Sequence, residues 1–455
     1  MNRPVAYGID LGTTNSSVAA LVDGRAVVLQ VDSGGDPPEA LRSIDFLHRD
    51  GDRDAGREAA RKYLQTALAS HRCNRCDRVK WLPDGPFTSC RQFAPGGGCK
   101  DARLVSGIKP LLTDDSFRET SSWGEVFDAE ELASVVLWRL KREADERFGV
   151  EVDRVVLGYP VHFETIPTGD LAFERLRGAA ERASFRHVDF CPEPLAAVWS
   201  DNASLKGRTV CSVDFGGGTF DVVVVRYDED GDPEPELLGL SGVPVGGELF
   251  DRLLFDRYVE PILGLDHHYR LKDGRRVQLP AYIRQGFRSL EGVTRLAAAP
   301  SVFTTLRQIQ AEAEEPRLLE PLLDLLYGGQ AFDFWSAIEH AKKDLSTAES
   351  SHLGFRREHL DVSVRMSRVE FERLIAPHLR RVRASIKETL AMAQLHPREV
   401  DVVIRTGGSA LLPAFNVMLD ELFGAARVEA KPAFSSVAAG LAELAATTNW
   451  RALGE

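Results

Sequence analysis

Gly8-Ile9-Asp10-Leu11-Gly12-Thr13-Thr14-Asn15 decides the reading of this chain. Residues 5–10 form a short apolar run that ends on a carboxylate, and a tight turn with Gly12, two hydroxyls and an amide follows. Backbone N–H groups in such a turn can point at phosphate oxygens. Gly12 lets the backbone approach closely, and Thr13, Thr14 and Asn15 add polar groups. Asp10 suits a hydrated Mg2+, which takes one or two carboxylates and keeps several waters. Residues 17–22 and 26–31 continue as strands, joined by the hairpin signal Asp23-Gly24.

Roughly 200 residues later the unit returns as Asp214-Phe215-Gly216-Gly217-Gly218-Thr219-Phe220-Asp221. Two strand-like runs, 209–214 and 219–227, flank a Gly-rich turn with a carboxylate at each end. Either turn alone is compatible with an ordinary β-hairpin. Both together, with the acid in the same place, point to an internal duplication with one phosphate turn in each copy. Between and after the two units, strands alternate with helices, which gives an α/β architecture. Helices are expected near 56–69, over 128–148 with Asp128 and Glu131 as an N-terminal capping pair and Gly149 as the stop, and from Ser367 to about 394 with Glu370 completing a capping box.

Length and charge narrow the classes. The chain has 455 residues, 44% hydrophobic and 27% charged, with net charge -12; the acidic balance argues against broad nucleic-acid binding. The N-terminus shows no secretory pattern, and no run of about 18 apolar residues suggests a membrane span. A cytoplasmic setting without membrane partners is expected.

Further motifs make the reading specific. GIDLGTTNS and VDFGGGTFD resemble, in order and spacing, the two phosphate motifs of the Hsp70 heat-shock family, within the actin-like ATPase superfamily. Glu193, in Cys191-Pro192-Glu193-Pro194-Leu195, resembles the family carboxylate near the attacking water. Gly246-Gly247-Glu248 resembles the stretch beside the nucleotide. Glu339, Lys342, Lys343 and Ser346 match the helix that contacts adenosine, and Gly407-Gly408-Ser409 the second adenosine motif. Gly107-Ile108-Lys109 resembles the strand that presents a catalytic lysine, and Tyr159-Pro160 the family's proline switch.

The resemblance implies an actin-like fold with two duplicated ribonuclease-H-like lobes around a nucleotide cleft, residues 1–205 and 206–455. The first would contain a Cys-rich insertion at 73–100, the second an enlarged, mainly helical subdomain at 264–350. It further implies a slow, Mg-dependent ATPase that binds ATP and ADP and acts as a conformational switch, with a protein client or co-chaperone as partner. Asp10, Asp214 and Asp221 would hold the Mg2+ water shell, with Lys109 and Glu193 acting on the transferred group and the water. The chain is expected to comprise the ATPase part alone, without the peptide-binding module. Leu411 stands where the family commonly has an arginine that stacks on the base, and an acidic residue is replaced around Phe434, so the phosphate side is better kept than the base side. A sugar-type kinase and a filament-forming nucleotide protein of the same superfamily are the alternatives.

Cys73, Cys76, Cys90 and Cys99 form a separate signal. Cys-x-x-Cys brings two thiolates to one tetrahedral ion, so structural Zn2+ is expected there; unrelated reduced thiols or a redox pair are the other readings. The loop's basic residues, with Trp81 and Phe93, read as a solvated surface. Cys191 and Cys211 read as core.

Overall fold

The computed structural model describes residues 3–35, 37–69, 102–199, 204–229, 235–432 and 435–446, and four short strands between 79 and 99. Two sheets carry the architecture. In the first, the meander Tyr7–Asp10, Asn15–Val22 and Arg25–Val28 is antiparallel, and Arg154–Tyr159 and His187–Pro192 extend it in parallel beyond Tyr7–Asp10. In the second, Thr209–Phe215, Phe220–Arg226 and Glu236–Val243 form the antiparallel meander, and Val402–Thr406 and Val428–Ala430 extend it in parallel. Strand order and direction are the same in both. The repeat seen in the two turn sequences is therefore a repeat of whole sheets.

Local chemistry accounts for the elements. Val-rich runs such as Phe220–Arg226 are buried on both faces, as strands covered by helices on each side must be. Asp23 and Gly24 take left-handed backbone, φ 51° and 75°, the pair a tight hairpin needs. The Asp128 side chain caps its helix by accepting from Glu131 N at 2.7 Å, and Gly149 closes it at φ 64°. Ser367 caps Arg368–Met392 by accepting from Glu370 N at 3.3 Å.

Two helices lie between the sheets. Ser436–Ala446 packs on the first sheet and on Glu193–Trp199, and Val437, Leu441 and Leu444 share one apolar cluster with Val156, Val210 and Ile404. Small residues permit this proximity. A Cβ at Gly440 would overlap Ala196 O, and one at Gly8 would overlap the backbone of Ala442. The small residues of Ser436–Ala446 thus set the distance between the two sheets.

Outside the sheets, a three-stranded layer of Ile44–His48, Arg53–Ala55 and Ala102–Ser106 projects from the first half. Sequence pattern did not announce its first two strands. The second half carries the helices Ala281–Gly286, Leu290–Ala298, Pro300–Glu312, Glu320–Tyr327 and Ala331–Thr347. Phe287, Phe334 and Trp335 are buried among them. One expectation is corrected here. Lys109 sits on the helix Ile108–Thr113, two residues past the left-handed Gly107 (φ 71°), and not on a strand. The strand before it ends at Ser106 because Gly107 turns the chain.

Candidate nucleotide site

The repeated turns meet face to face. A Cβ at Gly217 would overlap Thr14 Oγ1, and one at Gly218 would lie 2.6 Å from Thr13 Oγ1. A side chain at either glycine would have to displace a threonine hydroxyl of the opposite turn. Gly246 continues the contact, since its Cβ would overlap Gly217 O; Gly247 N and Glu248 N donate to Gly216 O at 3.1 Å and Gly217 O at 2.9 Å. The Ser409 hydroxyl donates to Gly216 O at 2.8 Å, and a Cβ at Gly407, already at φ 86°, would overlap Phe215 O.

These segments wall a cavity of about 430 Å3, within the size range of small-molecule sites. Its lining contains Asp10, Gly12, Thr13, Thr14, Asn15, Lys109, Glu193, Asp214, Gly216, Gly217, Gly218, Thr219, Gly247, Glu248, Glu339, Lys342, Lys343, Ser346, Gly407, Gly408 and Ser409. Of the residues expected at the nucleotide, Asp221 and Gly246 lie outside this lining, one step behind it. Pro37, Phe250, Asp251, Thr347, Leu411 and Leu412 line it without having been assigned a role in binding. Asp251 carried a signal: it falls one helical turn after Gly247, on the same face. Leu411 is 54% exposed at the far end. Phe434 lies outside the described residues.

The deep end is dense in charge. Lys109 Nζ donates to Glu193 Oε1 at 2.6 Å, and both side chains are at most one-tenth exposed. Burial alone would lower the Lys109 pKa, but Glu193 and Asp10 hold it raised. Burial, then Glu193, push Asp10 well above the usual carboxylate range. The same two causes take Asp214 to about 6, against the Thr406 hydroxyl, which donates to Oδ1 at 2.7 Å. Asp221, fully buried, rises to about 8, again through burial first and Glu193 second. Neither of its oxygens accepts a well-formed hydrogen bond. Carboxylates massed in this way fit a site completed by a cation.

Among the described residues, no three His, Cys, Asp or Glu side chains come close enough to grip an ion unaided. The zinc reading gains no support: Cys73, Cys76 and Cys90 lie outside the described residues, as does the side chain of Cys99.

Toward the shallow end, Lys342 Nζ donates to Gly247 O at 2.9 Å and to Asp251 Oδ2 at 2.8 Å. Burial raises Asp251 to about 6 while Lys342 opposes it. Thr14 Oγ1 donates to Glu248 Oε1 at 2.8 Å. Burial would raise Glu339, yet Arg42, Lys342 and Lys343 bring it down to about 2.

Comparison with known proteins identifies the geometry. The family profile described as "Hsp70 protein" matches residues 100–273 and 333–448, well over half of the chain. The chain belongs to the Hsp70 family. Its Hsp70 relatives include the chaperone protein DnaK of Thermus thermophilus, 26% identical over 424 residues that cover 92% of this chain and 57% of the relative. DnaK of Deinococcus deserti is 27% identical over 451 residues, 96% and 58% of the two chains. The stromal 70 kDa heat shock-related protein of Pisum sativum, a chloroplast protein, is 25% identical over 426 residues, 92% and 49%. This Hsp70-family chain therefore spans about half the length of the relatives it matches, and those relatives come from more than one compartment. Membership carries the actin-like ATPase fold, which agrees with the two repeated sheets. The profile leaves 274–332 unmatched, a stretch inside the helical layer of the second half. No described helix is long and apolar enough to cross a membrane.

Proposed function

We propose that this chain is a Mg-dependent ATP-binding ATPase whose two halves, residues 1–205 and 206–455, close on the nucleotide and so switch a partner-binding surface. The observation that carries the reading is the convergence of two phosphate turns, Lys109, Glu193, Asp10 and Asp214 on one cavity of about 430 Å3.

In this reading Thr13, Thr14 and the turn Gly216 to Thr219 hold phosphate oxygens with side-chain hydroxyls and backbone N–H groups. Asp10 and Asp214, with Asp221 behind them, face the water shell of the Mg2+, which would neutralise charge building on the phosphates. Lys109, kept charged by Glu193, places a cation at the deep end, and Glu193 orients water there. Catalysis of this kind is positioning and electrostatics. Glu339, Lys343, Ser346 and Gly407 to Ser409 border the nucleoside end, with Lys342 bracing Gly247 behind it. A protein client or co-chaperone is the partner the family relationship suggests, and turnover is expected to be slow.

The test is ATP hydrolysis and nucleotide binding by the purified chain, compared with Asp10→Asn and Thr219→Ala. Hydrolysis should fall at least about 100-fold in Asp10→Asn. Hydrolysis unchanged in both variants would sink the assignment.

A further inference from the structure

Arg175 lies outside the cavity lining, yet it is buried, 8% exposed. It sits on the helix Gly169–Arg182 of the first half. Four bonds run from its guanidinium to main-chain carbonyl oxygens. Nη1 donates to Leu111 O at 2.7 Å, Leu112 O at 3.3 Å and Asp114 O at 2.9 Å, and Nη2 donates to Phe117 O at 2.8 Å. Leu111 and Leu112 belong to the last turn of Ile108–Thr113, the helix that carries Lys109. The last carbonyls of a helix have no partner within it, and a basic side chain that takes them also suits the negative end of the helix dipole. Arg175 is thus a cap for the Lys109 helix, supplied from a different helix.

The short helix depends on such support. It has six residues, about 9 Å of chain, too few to hold its shape alone. At its start the left-handed Gly107 turns the chain away from Ala102–Ser106. Ile108 and Leu112 bury one face in the same apolar cluster as Ala172, Leu176 and Ala179 of the Arg175 helix. Apolar burial is non-directional; it holds the short helix against its neighbour without fixing its rotation. The planar guanidinium, with its donors in a rigid fork, does fix it. The same long helix also holds the strand that leads to Glu193: Arg177 Nη1 donates to Val188 O at 2.8 Å, and His187–Pro192 runs straight into Glu193–Trp199. Lys109 Nζ and Glu193 Oε1, 2.6 Å apart, are therefore placed from one frame.

We propose that Arg175 is the positioning residue of Lys109, fixing the end of its helix so that the ammonium stands where charge develops on the transferred phosphate. The inference rests on the nucleotide-binding reading and deepens it. Arg175 lies outside the cavity, and Thr13, Thr14 and Gly216 to Thr219, which would hold the phosphates, belong to other elements. Nucleotide binding should therefore barely depend on it. Hydrolysis should depend on it strongly, because a misplacement of about 1 Å at a catalytic group can cost about 100-fold in rate.

The test measures single-turnover hydrolysis of ATP with Mg2+, and ATP affinity by calorimetry. It compares wild type with Arg175→Ala, Arg175→Lys, Lys109→Ala and the double variant Lys109→Ala with Arg175→Ala. Arg175→Ala should hydrolyse at least about 10-fold more slowly while its affinity changes less than about 3-fold. Arg175→Lys, which keeps the charge but loses the planar fork, should fall between. In the Lys109→Ala background, Arg175→Ala should change the rate by less than about 2-fold, since residues that act through one group do not add. Equal losses in both backgrounds would show a general loss of packing and overturn the inference. A wild-type rate in Arg175→Ala, with a lowered melting temperature alone, would overturn it too. If Arg175→Ala does not fold, Arg175→Lys makes the same comparison, with a loss of at least about 3-fold expected only where Lys109 is present. A wild type that hydrolyses no ATP, or a Lys109→Ala that matches it, would instead sink the reading of the site itself.

Discussion

The two ends of the main cavity are built differently. At the phosphate end, two backbone turns interdigitate so closely that Gly217, Gly218, Gly246 and Gly407 have no room for a Cβ, and the charges behind them are buried. At the base end the wall includes the exposed Leu411 and the half-exposed Lys343. A phosphate presents the same geometry and charge to any chain that binds it, so backbone contact distances fix its site. A base is held by side-chain faces, and those can change without disturbing the fold. In the proposed reading, the departure at Leu411 falls on the second end for that reason.

The sharpest way to break the contrast is Gly246→Ala. Its Cβ would land on Gly217 O, backbone that cannot rotate away. Nucleotide binding should be lost, at least about 100-fold by calorimetry, and Asp10→Asn provides the same readout if the glycine variant does not fold. Next comes Lys342→Ala, which leaves Asp251 buried without its cation. A loss of about 3 kcal/mol in denaturant unfolding is expected for breaking one partner of such a pair. At the base end the effect should have the opposite sign. Leu411→Arg should tighten binding by about 3- to 10-fold by supplying a guanidinium for the base, with hydrolysis per bound nucleotide unchanged.

The smallest effect lies away from both ends. His359 Nδ1 meets Asp324 Oδ2 at 3.1 Å, and although burial works against it, Asp324 and Glu320 hold its pKa raised. A group with a raised folded-state pKa contributes stability that is fully present below its unfolded value near 6.5 and is lost as pH rises through the folded value. His359→Gln should therefore cost stability at pH 6 and almost none at pH 8.5. The difference should be under about 0.5 kcal/mol, because the His359 side chain is more than one-third exposed. Melting temperatures at the two pH values would check it.

What the sequence made legible follows the same division. The two glycine-threonine turns were readable because glycine and threonine at fixed offsets have few other uses, and their repeat anticipated the repeated sheets. The caps at Asp128 and Ser367 were readable because they are local. Ile44–His48 was not, because Asp45 interrupts its apolar run; the residue is fully buried, with burial pushing its pKa well above the usual range. Lys109 was singled out, and it lines the cavity, but its helix was not legible, since the left-handed Gly107 sets the turn and leaves no periodic mark. The Arg42–Glu339 pair joins residues almost 300 positions apart, and no local pattern encodes it.

Calorimetric titration of ATP and ADP with Mg2+ into the intact chain and into Asp10→Asn tests the central claim most directly. The account predicts saturable one-to-one binding to the first, weakened at least about 10-fold in the second. Absence of binding to the intact chain, or equal binding to both, would contradict it.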